Sequence, residues 1–281
     1  MATPDAEGDQ ALDLARQNEL FEHATPEEIL AWTTSRFAPD TVLTMSFQHE
    51  GVVIAHMLRG IAPETPILFI DTGYHFPETL AYRDELVARF GFPIQNLTSV
   101  MPRAEFIAKY GDDLYNRDPD LCCKINKVEP MQLALRGVRA WINGRRRDQA
   151  VTRTKMPIIE RLQGGIVKTN PLANWTSRDT YRYLTEHEIP THPLFEQGYT
   201  SIGCAPCTRP VLAGEDERAG RWAGKGKTEC GLHTFLSNPE EESPAAGESG
   251  ASDAARGPVR AGPERAQEPE SAEPAPRAAR R

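Results

Sequence analysis

Thr41-Val-Leu-Thr-Met-Ser-Phe47, then Gln48-His-Glu-Gly51, then Val52-Val-Ile-Ala-His-Met-Leu-Arg-Gly60 is the stretch that decides the architecture. The first run is short, apolar and β-branched, the second breaks it, and the third is apolar on nearly every side. A buried strand followed by a buried helix is the natural reading. The pattern recurs. Pro66 to Ile70 is strand-like and ends in Asp71-Thr-Gly73, and Phe76 to Phe90 is helical, with Pro77 near its start and Gly91 just past its end. Strand-like Ile94 to Val100, helical Arg103 to Tyr110, a helix within Cys122 to Arg136 and strand-like Val138 to Ile142 follow. Strands alternating with helices imply an α/β fold, a parallel sheet flanked by helices. Ligands of such sheets bind at the carboxyl ends of strands, which directs attention to Ser46–Glu50, Asp71–His75 and Gly144–Arg153.

Around this core, residues 9–36 read as two packing helices, the second starting at Thr25 as cap with Pro26 in the first helical position. Pro157 to Leu172 reads as a hairpin turning at Gly164-Gly165, and Trp175 to Glu188 as an amphipathic helix capped by Thr176 or Ser177. Residues 190–235 lack a long periodic segment, yet they hold three of the five cysteines. The expected organisation is a folded unit over 1–236, with an α/β core at about 37–190 and a cysteine-rich segment at 191–236. Beyond Leu236, Val259 is the only large apolar residue, and seven prolines and nine acids against six arginines are found there. Residues 237–281 are therefore expected to be a disordered tail, because they bury too little apolar surface to offset chain entropy.

The 281 residues carry 40 acidic and 32 basic side chains, a net charge of −8. That balance argues against gripping nucleic acid or anionic lipid as the main task. No run approaches the ~20 apolar residues of a membrane span, and the acidic start lacks an apolar signal core. A cytoplasmic protein is expected, with no nucleic-acid or membrane partner. An odd number of cysteines in a chain this long also fits a reducing compartment better than a disulfide framework.

Cys204-Ala-Pro-Cys207 has the spacing at which two thiolates converge on one metal centre, and also that of a dithiol redox motif. Cys122 and Cys123 are adjacent, and neighbouring side chains diverge on helix or strand. Both can reach one centre only if the backbone bends there. Four thiolates suit Zn²⁺ or an iron–sulfur cubane. Cys230 stands apart among glycines and cations, with Arg218, Arg221, Lys225, Lys227 and His233 nearby in sequence, a setting that suits a nucleophile facing an anionic substrate.

Taken together, several motifs resemble one family in order along the chain. They are Ser46-Phe-Gln48, Asp71-Thr-Gly-Tyr-His-Phe-Pro-Glu-Thr79, Cys122-Cys123, Gly144-Arg-Arg-Arg-Asp-Gln149, Ser201-Ile-Gly-Cys-Ala-Pro-Cys-Thr-Arg209 and Glu229-Cys-Gly-Leu-His233. The chain resembles the assimilatory adenylyl-sulfate and phosphoadenylyl-sulfate reductases, specifically the cluster-bearing adenylyl-sulfate branch. The resemblance implies an adenine-nucleotide α-hydrolase-like fold with a modified PP-loop. Here Ser46 to Glu50 lacks the paired glycines that cradle pyrophosphate, which weakens an ATP-cleaving reading.

The implied reaction is reduction of adenosine 5′-phosphosulfate to sulfite and AMP through a thiosulfonate on Cys230, with thioredoxin as electron donor. The resemblance assigns a [4Fe-4S] cluster to Cys122, Cys123, Cys204 and Cys207, and the sulfate end of the substrate to Lys127, Arg218, Arg221 and His233. Ser46, Gln48, Asp71, Gly73 and Arg153 are candidates for the nucleotide, although Asp71 equally suits a turn-capping role. A phosphoadenylyl-sulfate reductase and a PP-loop iron–sulfur tRNA-thiolation enzyme are the alternatives. The first, in its clusterless form, lacks the four further cysteines. The second needs a glycine-rich loop and a basic surface. A homo-oligomer is compatible with everything above.

Overall fold

The computed structural model describes residues 12–225 together with Lys227, Gly231, Leu232 and Leu236. The expected tail at 237–281 lies outside the described residues, as do Cys230 and His233. Two helices open the chain, α1 (Leu14–Phe21) and α2 (Pro26–Phe37). At the start of α2 the Thr25 hydroxyl accepts the Glu28 N–H at 3.2 Å and the Glu28 carboxylate accepts the Thr25 N–H at 2.7 Å. This reciprocal cap satisfies two amides that the helix itself leaves without partners.

The core then alternates β1 (Thr41–Thr44), α3 (His49–Ile61), β2 (Ile67–Asp71), α4 (Pro77–Phe90), β3 (Ile94–Thr98) and α5 (Arg103–Tyr110). After the short helices α6 (Leu114–Arg117), α7 (Pro119–Cys123) and α8 (Glu129–Ala134) come β4 (Ala140–Ile142), β5 (Ile159–Arg161), β6 (Val167–Thr169) and α9 (Ser177–Glu186). Thr176, of the two candidate caps, accepts the Asp179 N–H at the start of α9.

The six strands form one sheet in the order β3-β2-β1-β4-β6-β5. All neighbours are parallel except β5 and β6, which form the expected hairpin at one edge. Both glycines of its turn, Gly164 and Gly165, take positive φ. The central strand β1 pairs Leu43 with Ile67 on one side and Ile142 on the other. Leu43, Phe69, Trp141 and Ile142 are each fully buried, so the middle strands carry apolar residues on both faces, as a sheet covered by helices on both sides requires. On one side α3 packs against α2 and α9, and its residues Val52, Val53 and Ile54 have no exposed surface. Burial of such a side chain contributes about 1.5–3 kcal/mol, which is why the apolar run 52–58 holds its helix although Gly51 and Gly60 flank it.

Residues 190–225 contain only single 3₁₀ turns, at Phe195–Gln197 and Ala205–Cys207. This segment crosses the carboxyl ends of the strands. Isolated bridges join His75 to Cys204 and Thr208 to Arg221. Among the described residues no helix is long and apolar enough to cross a membrane.

Candidate active site and cysteine centre

A solvent-open pocket of about 1040 Å³ of atom-free space lies at the carboxyl ends of β1, β2 and β4. Thr44 to Ser46 enter from β1, Leu68 to Ile70 from β2, and Asn143 to Arg145 from β4. The turn from β1 into α3 is sharp because Phe47 adopts a φ of +57°. A non-glycine residue held there costs roughly 1–3 kcal/mol. Its ring offsets that by complete burial, edge-on to Phe69 at 5.3 Å. Gln48, just before α3, donates to the Ser46 hydroxyl at 3.2 Å and accepts the Ile202 N–H at 2.9 Å. It therefore ties the cysteine-rich segment to the strand-end turn.

Three consecutive arginines go three ways, as alternation along extended chain allows. Arg145 lines the pocket. Arg147 leaves it and pairs with Glu22 at 2.7 Å. Arg146 has no exposed surface and faces Glu50, Asp148 and Glu217 at 3.4, 3.3 and 2.9 Å. Burial, and then the neighbouring Glu50 and Asp148 carboxylates against the pull of Arg146, push the Glu217 carboxyl up to about 7. Arg153, Arg218, Arg221 and Lys127 also line the pocket.

Gly203 makes room for Arg221. A Cβ at Gly203 would stand 2.2 Å from Arg221 Nη2. With no side chain there, the guanidinium reaches the Ile202 carbonyl at 3.3 Å and lies 4.3 Å from the Trp222 ring centroid.

A second cavity, of about 310 Å³ of atom-free space, adjoins the first. Cys122, Cys123, Cys204 and Cys207 all line it and all are buried. The cysteine pair is helical, closing α7, and the bend that adjacent cysteines require is a π turn at Lys124–Val128 between α7 and α8. Such one-residue expansions re-aim side chains within a helix. The turn also carries Asn126, whose amide donates to the Cys122 carbonyl at 3.0 Å and reaches Cys122 Sγ at 3.6 Å.

Burial pushes the Cys122 thiol up to about 12, and the charges of Cys123, Cys204 and Cys207 act in the same direction. For Cys204, burial would raise the thiol, but the Lys127 ammonium, the Thr72 hydroxyl at 3.3 Å and Arg221 hold it below the ordinary thiol value. Lys225 Nζ lies 3.8 Å from Cys207 Sγ. Trp222 Nε1 is a buried donor with no hydrogen-bond partner among the described residues, and its ring borders both cavities. No three His, Cys, Asp or Glu side chains among the described residues converge as they would around a single metal ion.

Of the residues singled out from sequence, Ser46, Gln48, Lys127, Arg153, Arg218 and Arg221 meet at the pocket. Asp71 and Gly73 do not line it: the Asp71 carboxylate accepts the Gly73 N–H at 2.9 Å and closes the turn after β2. Leu232, between Cys230 and His233 in sequence, does line the pocket and packs near Trp141 and Leu68. Sequence reasoning passed over His75, Trp222 and Arg146. His75 donates from Nε2 to the Ile70 carbonyl at 2.8 Å and leaves Nδ1 buried without a partner among the described residues, while burial lowers its pKa. Burial thus favours the neutral ring, and His75 lines the pocket. Its place in the motif after β2 was the available signal.

A mostly parallel six-stranded sheet flanked by helices, with a cation-lined pocket at its strand ends, defines an α/β fold with a candidate anion site. The chain belongs to the family described as the phosphoadenosine phosphosulfate reductase domain, whose model matches residues 40–210. It is 47% identical over 219 residues to an adenosine 5′-phosphosulfate reductase of Streptomyces coelicolor, covering 78% of this chain and 92% of that protein. It is 44% identical to a phosphoadenosine 5′-phosphosulfate reductase of Gloeobacter violaceus, with the same coverage of 78% and 92%. Among solved structures, the phosphoadenylyl-sulfate reductase of Candida auris in its phosphate complex superposes with a TM-score of 0.63 at 33% identity, covering 70% of this chain and 96% of that one. An FMN adenylyltransferase of Candida glabrata, at a TM-score of 0.51 and 15% identity over 73% of this chain and 71% of that one, shares the fold alone.

Proposed function

We propose that the chain is a thioredoxin-dependent adenosine 5′-phosphosulfate reductase that releases sulfite and AMP. The observation that carries this reading is a shared wall: Thr72, Lys127, Cys204 and Trp222 border both the cationic pocket and the cavity of the four cysteines. An anion seated in the pocket lies beside the cysteine centre, with Lys127, Arg218 and Arg221 within one cavity to neutralise it. By resemblance His233 shares the task of binding the sulfate end, and Ser46, Gln48 and Arg153 hold the nucleotide, with Asp71 and Gly73 shaping the turn after β2.

The nucleophile in this reading is Cys230. Its thiolate attacks the sulfuryl sulfur, a sulfur–sulfur bond forms, and the bond from sulfur to the bridging oxygen breaks, so that AMP leaves with that oxygen and the electron pair. A thioredoxin thiolate then attacks Cys230 Sγ and sulfite departs. The donor's second thiol releases Cys230 and closes a disulfide on thioredoxin, which supplies both electrons. A thiolate approaching a sulfate meets like charge, so fixed cations in a site that excludes water lower this barrier.

Cys122, Cys123, Cys204 and Cys207 are the residues that would hold a [4Fe-4S] cluster. Four buried thiols lining one cavity, with Asn126, Thr72, Lys127 and Lys225 directed at sulfur, suit a thiolate-held cluster. When bound, the cluster supplies fixed charge and a structural tie, since the dithiol donor already provides the electrons. The cysteines favour adenylyl sulfate over its 3′-phosphorylated form. The enzyme acts in assimilatory sulfate reduction in the cytoplasm.

Anaerobic purification, an iron and acid-labile sulfide assay, and measurement of sulfite from each nucleotide with thioredoxin test the proposal together. Zinc without sulfide, or no sulfite from adenylyl sulfate, sinks it. Cys230→Ser is expected to abolish turnover and keep the brown chromophore, and activity retained in that variant moves the nucleophile elsewhere.

A further inference from the structure

We infer that Arg146 is a positioning residue, holding through Glu217 the turn that carries Arg218 and Arg221 in the nucleotide pocket. This rests on the reading that the pocket binds an adenine nucleotide. Arg146 has no exposed surface, and its fork engages four separate parts of the molecule. Nη2 donates to both Glu217 oxygens at 3.2 and 2.9 Å, Nε lies 3.4 Å from Glu50 in α3 and 3.3 Å from Asp148, and Nη1 lies 3.4 Å from the Thr180 hydroxyl of α9. A guanidinium buried this fully is retained only with several partners, and one nitrogen shared between both carboxylate oxygens centres Glu217 on it.

Glu217 is held at both ends. Its carboxylate is on Arg146, and its carbonyl accepts the Thr200 hydroxyl at 2.6 Å. The next residue is Arg218, and a turn closed by the Arg221 N–H on the Arg218 carbonyl at 2.9 Å links the two pocket arginines. The far side of the turn is pinned to the cysteine segment, where the Arg209 N–H donates to Gly220 at 3.0 Å and the Trp222 N–H to Cys207 at 2.9 Å. The near side has no helix or strand of its own. Glu217 links it to the α/β core, and that link passes through Arg146.

The carboxylates of Glu50, Asp148 and Glu217 surround one guanidinium, with Arg218 as the other cation acting on Glu217. Three acids on one buried arginine make a costly arrangement whose use is geometric. Replacing Arg146 leaves three uncompensated carboxylates, so the decisive variants are at Glu217, which is partly accessible.

The test uses the full-length, metal-loaded protein and AMP as probe. Calorimetric affinity is measured for the unaltered protein, Glu217→Ala, Glu217→Gln, Arg218→Ala and the Glu217→Ala/Arg218→Ala double variant, alongside iron content and KM and kcat with adenosine 5′-phosphosulfate. Glu217→Ala is expected to weaken AMP binding and raise KM by roughly ten-fold, the scale of one charge-assisted pair, with iron content unchanged. Glu217→Gln, which keeps an acceptor oxygen, is expected to recover most of the loss. In the Arg218→Ala background, Glu217→Ala is expected to add nothing further. Full additivity of the two losses, an unchanged affinity in Glu217→Ala, or a silent Arg218→Ala overturns the role of Arg146 while leaving the nucleotide reading in place. Failure of the unaltered protein to bind AMP overturns the nucleotide reading first and this inference with it.

Discussion

Gly203→Ala separates the position of Arg221 from the stability of the fold. The added Cβ would stand 2.2 Å from Arg221 Nη2 and 2.5 Å from Cζ, both at the far end of a flexible side chain. The guanidinium therefore moves and the backbone stays. Two interactions are lost with it: the hydrogen bond to the Ile202 carbonyl at 3.3 Å and the approach to the Trp222 ring at 4.3 Å. Such contacts are worth about 1 kcal/mol for the hydrogen bond and about 0.5–2 kcal/mol for the cation over the ring. At roughly 2–4 °C per kcal/mol for a domain of this size, the melting temperature should fall by only about 3–12 °C. Nucleotide binding should suffer more. A charged hydrogen-bond donor withdrawn from an anion forfeits about 1.5–3 kcal/mol, which is roughly a 10- to 150-fold loss of affinity. Differential scanning calorimetry and titration with AMP read the two effects separately. Unchanged AMP affinity in Gly203→Ala refutes the placement of Arg221 against the ligand, and loss of the folded state refutes the claim that only a side chain must move.

Further outcomes follow from individual contacts. Thr25→Ala removes the α2 cap and should lower stability by about 1 kcal/mol without changing sulfite production, as urea titration and the turnover assay would register. Glu217 has its carboxyl raised to about 7 by burial, so its ionisation penalises the folded state: the penalty is absent below the ordinary carboxylate value of 4.5, grows as pH rises from there, and is complete above 7. Glu217→Gln removes the penalty, at most about 3 kcal/mol, and should raise the melting temperature relative to the unaltered protein more at pH 8 than at pH 5. An equal shift at both values contradicts the assignment. On the proposal that the four cysteines hold a cluster, treatment with a chelator should accelerate hydrogen exchange across 199–225, whose buried apolar cluster consists of Cys204, Cys207 and Trp222, while the strands β1, β2 and β4 stay protected. Exchange that stays slow in 199–225 would show that the segment holds itself.

The alternation of strand and helix was legible because each core strand is an apolar run bounded by a turn signal, and because Thr25-Pro26 and Thr176 are caps whose chemistry is local. The cysteine centre was legible in its residue types, but its geometry was not. Nothing in Cys122-Cys-Lys-Ile-Asn-Lys127 announces a π turn, since that turn answers to packing of Ile125 and Asn126 in the interior and not to a local preference. Asp71 shows the opposite limit. A carboxylate at a strand end suits a ligand and a turn equally well, and only the 2.9 Å bond to the Gly73 N–H distinguishes its use. Arg146 was hidden for a third reason. Alternation along extended chain allows one or two of Arg145 to Arg147 to turn inward, but the partners Glu50, Thr180 and Glu217 are distant in sequence, so only the fold shows which arginine does so and what it meets.

The shared wall between the two cavities gives these details one physical consequence. Lys127 lines both cavities and acts on Cys204, and Arg221, which lines the pocket beside Trp222, also acts on Cys204. A cation that already acts on a cysteine sulfur responds most directly to charge that develops at that sulfur. Arg153, hydrogen-bonded to Gln149, and Arg218, near Ser201 and Glu217, line the pocket and should carry more of the ground-state affinity for the nucleotide, while Lys127 and Arg221, the cations that act on Cys204, should carry more of the response to charge developing at sulfur. Arg218→Ala should accordingly raise KM with kcat little changed, whereas Lys127→Ala should depress kcat more than it raises KM. Steady-state kinetics on metal-loaded variants of equal iron content decide the matter. The reverse pattern, with kcat lost at Arg218 and KM raised at Lys127, would mean that the cations at the shared wall serve binding and that proximity to the cysteines has no part in the chemical step.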